Sequence, residues 1–231
     1  MTPDSSYTLA NRSSVLGAAQ NRVLRNTLGL LALSLMPTVL GAWMGVASGF
    51  SFFAGSPLLA AGIFLGVSFA FFYGIEKFKN SAIGVALLLG FTFFMGLMLS
   101  RLLGQVLGLA NGANLIMAAF GGTSLIFGVM AGVASVSRRD FSGMGKFLII
   151  GAVLVMLASI ANIFFQMPAL HLTLLVLVVA IFSGLMLVDL QRIVRGGETN
   201  YVTATLSVYL SLYNVFTALL QLLGIFGGDR E

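Results

Sequence analysis

Between Asn26 and Glu76 not one side chain is charged, and the same pattern continues to the end of the chain. Uncharged apolar runs occupy 28–48, 57–75, 81–100, 113–137, 147–166, 169–188 and 202–226. A helix needs about 20 apolar residues to cross a hydrocarbon core ~30 Å thick. A soluble helix of that length would keep one polar face, and these runs mostly do not. The sequence therefore predicts an all-α membrane protein, a seven-transmembrane-helix bundle. With 58% hydrophobic and 8% charged residues, little chain is left for a soluble domain. The expected division is a polar N-terminal tail over 1–27, the bundle over 28–227 and a short C-terminal tail over 228–231. The N-terminal stretch reads as unlike a secretory signal, because its polar part is long and the first apolar run is a full span.

The net charge of +5 follows from orientation. With the N-terminus in the cytoplasm, the inner side holds Arg12, Arg22, Arg25, Lys77, Lys79, Arg138, Arg139, Lys146, Arg192 and Arg195; the outer side holds Arg101 and Arg230. That asymmetry predicts a multi-pass protein of the bacterial inner membrane with its N-terminus cytoplasmic and its C-terminus external. The same threading splits the basic residues among separate short loops, so a continuous nucleic-acid surface is not expected. Pro57 and Pro168 fall where helices should start, and Pro37 lies inside the first span. Glycines four apart at 41/45, 62/66, 104/108, 128/132 and 224/228 read as close helix packing within one bundle.

Few residues could carry chemistry. There is no cysteine, so thiolate catalysis and cysteine metal sites are excluded. His171 is the sole histidine, and one imidazole alone does not make a metal site; no cofactor is expected. Ser124, in Gly121-Gly-Thr-Ser, raises the remote alternative of an intramembrane serine protease with His171 as base, which needs the two within hydrogen-bond reach. Arg101 is expected to snorkel to the interface. Asp189, near the end of the sixth span, is the candidate proton- or cation-sensing group, since an ionisable side chain at that depth is a functional candidate by default. Arg192 lies three residues on, close enough for an ion pair, and Gly196-Gly197 should end the helix. On the seventh span Thr203, Ser207, Ser211, Asn214 and Gln221 share one face, to bond neighbouring helices or line a wet cavity. Tyr209 and Tyr213, four apart, read as packing with a phenol hydrogen bond.

The run Gly196-Gly-Glu-Thr-Asn-Tyr through Tyr213-Asn-Val-Phe closely resembles the C-terminal signature of the Bax inhibitor-1 family, in its bacterial YccA branch. Val23-Leu-Arg-Asn-Thr, Ala119-Phe-Gly-Gly-Thr and Ala161-Asn-Ile-Phe-Phe-Gln-Met-Pro extend the resemblance along nearly the whole chain. It implies a seven-helix bundle that is not an enzyme, with the FtsH protease complex and the lipid bilayer as partners. In that reading the chain binds and modulates the membrane AAA protease FtsH as a slowly degraded substrate. The alternative the family offers is a pH-sensitive calcium or cation leak that uses two aspartates, in helices six and seven. Asp189 matches the first of these, whereas Ser211 stands at the second. A carboxylate facing a hydroxyl cannot titrate as a coupled acid pair, which favours protease modulation.

Overall fold

The computed structural model describes the backbone of residues 5–50 and 57–227, and the side chains of residues 21–50 and 59–227. The first four residues and the expected C-terminal tail 228–231 lie outside the described residues. Seven helices follow one another: α1 (Ser5–Ala47), α2 (Pro57–Phe78), α3 (Ala82–Leu107), α4 (Gly112–Val136), α5 (Ser142–Phe165), α6 (Pro168–Val194) and α7 (Tyr201–Gly227). Each contains a window long and apolar enough to cross a bilayer. Every predicted span is present, and most helices outrun their uncharged stretch. α3 continues past Arg101 to Leu107, and α6 continues past Asp189 through Arg192. Charge ends an apolar run where the helix reaches headgroup depth, but long side chains can snorkel there, so the helix itself need not stop. α1 likewise extends back to Ser5 through the polar segment expected as a tail, and runs through Pro37 without a break. Ala, Leu, Gln and Arg in that segment are good helix formers.

α7 is the central element and packs against α1, α3, α4 and α6, whereas α5 is peripheral and packs on α6. The fully buried side chains of Ile75, Leu88, Phe91, Met186, Val202, Val208, Tyr209 and Val215 form the main core. Phe71, Phe72 and Tyr209 surround Phe91 with ring centroids 5.3–6.4 Å apart. The most extensive helix pair is α1 with α3. There a Cβ at Gly41 would collide with the Phe93 carbonyl oxygen, one at Gly96 with the Thr38 carbonyl oxygen, and one at Gly45 with the Ser100 side chain. Lipid tails are as apolar as leucine, so association depends on such close van der Waals approach. Among the described glycine pairs, 41/45 sits at such a close crossing, Gly41 against backbone and Gly45 against the Ser100 side chain, whereas 62/66 and 128/132 face open space.

Candidate functional site

The family-like signature forms the corner between α6 and α7. Gly196, at φ +74°, takes the left-handed conformation that ends α6. Its N–H donates to the Ile193 carbonyl at 3.1 Å, and the Gly197 N–H to that of Arg192 at 2.9 Å, the paired bonds of a Schellman cap. Glu198 Oε1 then accepts the N–H groups of Thr199 and Asn200, each at 3.0 Å. Asn200 Oδ1 accepts from Val202 N–H at 2.9 Å and Thr203 N–H at 3.2 Å, which caps α7. The Asn200 Nδ2 group donates to the Lys79 carbonyl and Asn80 Oδ1, at 3.1 and 2.8 Å. One side chain thus starts a helix and ties down the α2–α3 turn.

The α4–α5 loop is fastened at the same end of the bundle. Gln191, on α6 and only 2% exposed, donates to the Arg139 carbonyl at 2.8 Å and accepts from Phe141 N–H at 2.8 Å. Arg195 donates to the Arg139 carbonyl at 2.7 Å and pairs with Asp140 at 3.6 Å. The Ser142 N–H, donating to Asp140 Oδ1 at 2.9 Å, holds that carboxyl below its ordinary range; the Ser142 hydroxyl and Arg195 act in the same direction. Sequence reading missed Gln191 and Asn200, because their partners lie about 50 and 120 residues away.

Asp189 lies two residues before this clamp, partly buried, with Arg192 and Glu198 as the charged groups acting on it. Arg192 is exposed, and among the described residues no ion pair or hydrogen bond of Asp189 is found, so the expected i,i+3 bridge is not formed. The polar stripe of α7 divides along its length. Thr203 joins the helix cap, Ser207 is exposed, and Ser211 is buried among helices. Asn214 and Gln221 line a cleft of about 400 Å³ between α5, α6 and α7, at the end away from the clamp. The tyrosines are phenol-bonded as expected: Tyr209 Oη shares a hydrogen bond with Thr38 Oγ1 at 2.9 Å, and Tyr213 Oη donates to the Met95 carbonyl at 3.1 Å. His171 lines the same cleft, whereas Ser124 is exposed on α4 and is not part of that lining. The serine and the imidazole needed for a protease dyad are not brought together.

The sequence has counterparts among known proteins. The profile of the Bax1-I family, described as inhibitor of apoptosis-promoting Bax1, matches residues 20–228. The chain belongs to the Bax1-I family. An uncharacterized protein of Neisseria meningitidis serogroup B is 38% identical over 218 residues, covering 91% of this chain and 94% of that protein. An uncharacterized membrane protein of Vibrio cholerae is 36% identical over 209 residues, covering 90% and 92%. The protein named modulator of FtsH protease YccA in Escherichia coli K12 is 35% identical over 223 residues, covering 95% and 96%. Within this Bax1-I member, the signature residues that carry the resemblance are those that build the α6–α7 corner and its clamp on the α2–α3 turn.

Proposed function

We propose that this chain binds and modulates the membrane AAA protease FtsH in the bacterial inner membrane, and is itself a slow substrate. The supporting observation is the near full-length similarity to the Escherichia coli modulator of FtsH. We place the N-terminus in the cytoplasm on the charge asymmetry of the loops. On that threading the clamped end, with Arg138, Arg139, Arg192 and Arg195, faces the compartment in which an AAA ring works. α1 begins at Ser5, and its polar leading turns project ahead of the first span. A short polar helical segment is marginal in water on its own, which favours engagement by a pulling motor. The next step is different in kind. Each span must leave lipid, and α1 is locked against α3 through Gly41, Gly45 and Gly96. Engagement is easy and extraction is hard, which is how a chain occupies a protease while being degraded slowly.

The test is capture from solubilised membranes by the tagged chain, followed by its own turnover. FtsH should co-purify, and removing residues 2–20 should slow degradation while leaving insertion intact. Unchanged turnover of the truncated chain would count against tail-initiated pulling. The cation-leak reading is the weaker one here, because Ser211 offers a hydroxyl in place of the second of the two carboxylates and a hard divalent ion prefers several oxygens that include carboxylates.

A further inference from the structure

The cations at the clamped end of the bundle are not alike. Lys79 is paired with Glu76, and Lys77 lies over the rings of Tyr73 and Phe78, 5.8 and 5.6 Å from their centroids. Arg195 is taken up by Asp140 and the Arg139 carbonyl. Around the turn from α4 to α5 the situation differs. Arg138, Arg139 and Lys146 are exposed there, and their side chains form no ion pair among the described residues. Asp140 is the only carboxylate between Arg138 and Lys146, and it is already engaged by Arg195 and the Ser142 N–H. The corner therefore presents three positive charges that no described carboxylate answers. Its backbone is also held in place. Gln191 and Arg195 both donate to the Arg139 carbonyl, and Gln191 accepts the Phe141 N–H. A ligand arriving at these side chains has less ordering to impose than it would on a free loop.

Depth decides what that ligand is. α4 and α5 have 25 and 24 residues, about 36–38 Å at 1.5 Å per residue, so each overhangs a ~30 Å hydrocarbon core by a few ångströms at either end. The loop between them falls at headgroup depth, and Lys146, one turn into α5, reaches the same layer by snorkelling. Large apolar side chains turn outward on both sides of the loop: Val136 is 83% exposed and Phe147 77%. α4 and α5 each pack on α6 rather than extensively on each other, so both keep a lipid-facing side next to the cations. A soluble acidic partner would meet the cations alone. A phospholipid meets both parts of the surface, with phosphate at the cations and acyl chains along the apolar side chains. A zwitterionic headgroup adds an ammonium that the surplus charge repels, whereas an anionic one is drawn to it. We infer that the α4–α5 corner is a docking site for the phosphate headgroup of an anionic phospholipid, held by Arg138, Arg139 and Lys146.

The test is photocrosslinking of the full chain in phosphatidylcholine liposomes doped with a trace of diazirine-bearing phosphatidylglycerol or diazirine-bearing phosphatidylcholine, with adducts mapped by peptide mass spectrometry. Phosphatidylglycerol adducts should concentrate at the end of α4 and the first turns of α5, well above those of phosphatidylcholine, and should fade as salt screens the cations. Lys146→Gln should lower them roughly fivefold, the effect of one basic side chain near a charged lipid surface. Arg138→Gln, Arg139→Gln and Lys146→Gln together should remove the preference, while Phe141 amide exchange stays slow and shows the loop still clamped. A control lacking the same amount of charge at the same end, Arg22→Gln, Arg25→Gln and Lys77→Gln, should keep the preference. Equal labelling of the corner by the two lipids would overturn the assignment and leave the patch to an acidic partner. So would a preference lost equally in the control, which would mean general surface charge, or one untouched by the triple variant. Loss of the adducts when inorganic phosphate replaces chloride at constant ionic strength would also overturn it, in favour of a soluble anion.

Discussion

Two glycines on one face of α1 should respond to the same substitution in opposite ways once Ser100 is removed. A methyl at Gly41 points at the backbone carbonyl of Phe93, and one at Gly45 points at the Oγ and Cβ of Ser100. Carbon atoms pack best about 3.5–4.0 Å apart, and a radial gap of 0.5–1 Å already forfeits about a quarter to a half of each contact. Gly41→Ala must push α3 away bodily, because the Phe93 carbonyl is held in the ladder of its own helix. The expected cost is at the upper end of the ~1–3 kcal/mol typical of overpacking. Gly45→Ala should cost a similar amount alone. Ser100→Gly deletes the atoms it strikes, so the double variant should regain about 1–2 kcal/mol of coupling, within the range for residues in contact. No such coupling is expected between Gly41→Ala and Ser100→Gly. Equilibrium unfolding in mixed detergent and dodecyl sulfate micelles, followed by circular dichroism, reads all five variants. Gly41→Ala within about 0.5 kcal/mol of the parent, or rescued by Ser100→Gly as well as Gly45→Ala is, would refute the close crossing.

Gln191→Leu removes both bonds to the α4–α5 loop, and should cost about 1–3 kcal/mol for the groups left without partners. Amide exchange at Phe141 should speed up, while exchange in α7 should not. Asp140 gives a pH signature: its carboxyl is lowered in the folded state, so its contribution is present above the unfolded value of about 4 and is lost as pH falls through the lower folded value. Loop exchange should therefore rise below about pH 4 in the parent. Asp140→Asn should show a looser loop already at neutral pH, without that acid step. In liposomes the chain should pass little calcium, and Ser211→Asp should increase any pH-gated flux. A leak in the unmodified protein that Asp189→Asn abolishes would reverse the ranking of the two functions.

The spans were legible because exclusion of charge from hydrocarbon is the strongest constraint a sequence can record. Helix ends were less so: α3 and α6 continue through Arg101 and Arg192, where a long side chain reaches the interface. Glycine spacing did not reveal which pairs meet a neighbour, since 41/45 and 128/132 look alike until α3 is placed. The signature around Asn200 was recognisable as a pattern, but its partners on the α2–α3 turn were not, nor was the grip of Gln191. Such bonds are set by tertiary placement, and a lone carboxamide has no spacing to betray it. Asp189 stood out by type and depth. The stripe on α7 was visible as one face, although it serves a cap, a buried contact and a cleft in turn.

Modulation of FtsH is the central claim, and the decisive measurement is the degradation rate of a second FtsH substrate. Membranes are prepared with this chain, with the form lacking residues 2–20, and without either. The full chain should slow turnover of that substrate while being lost slowly itself, and the truncated form should slow it less. Equal turnover of the second substrate in all three membranes, with FtsH active throughout, would contradict the account.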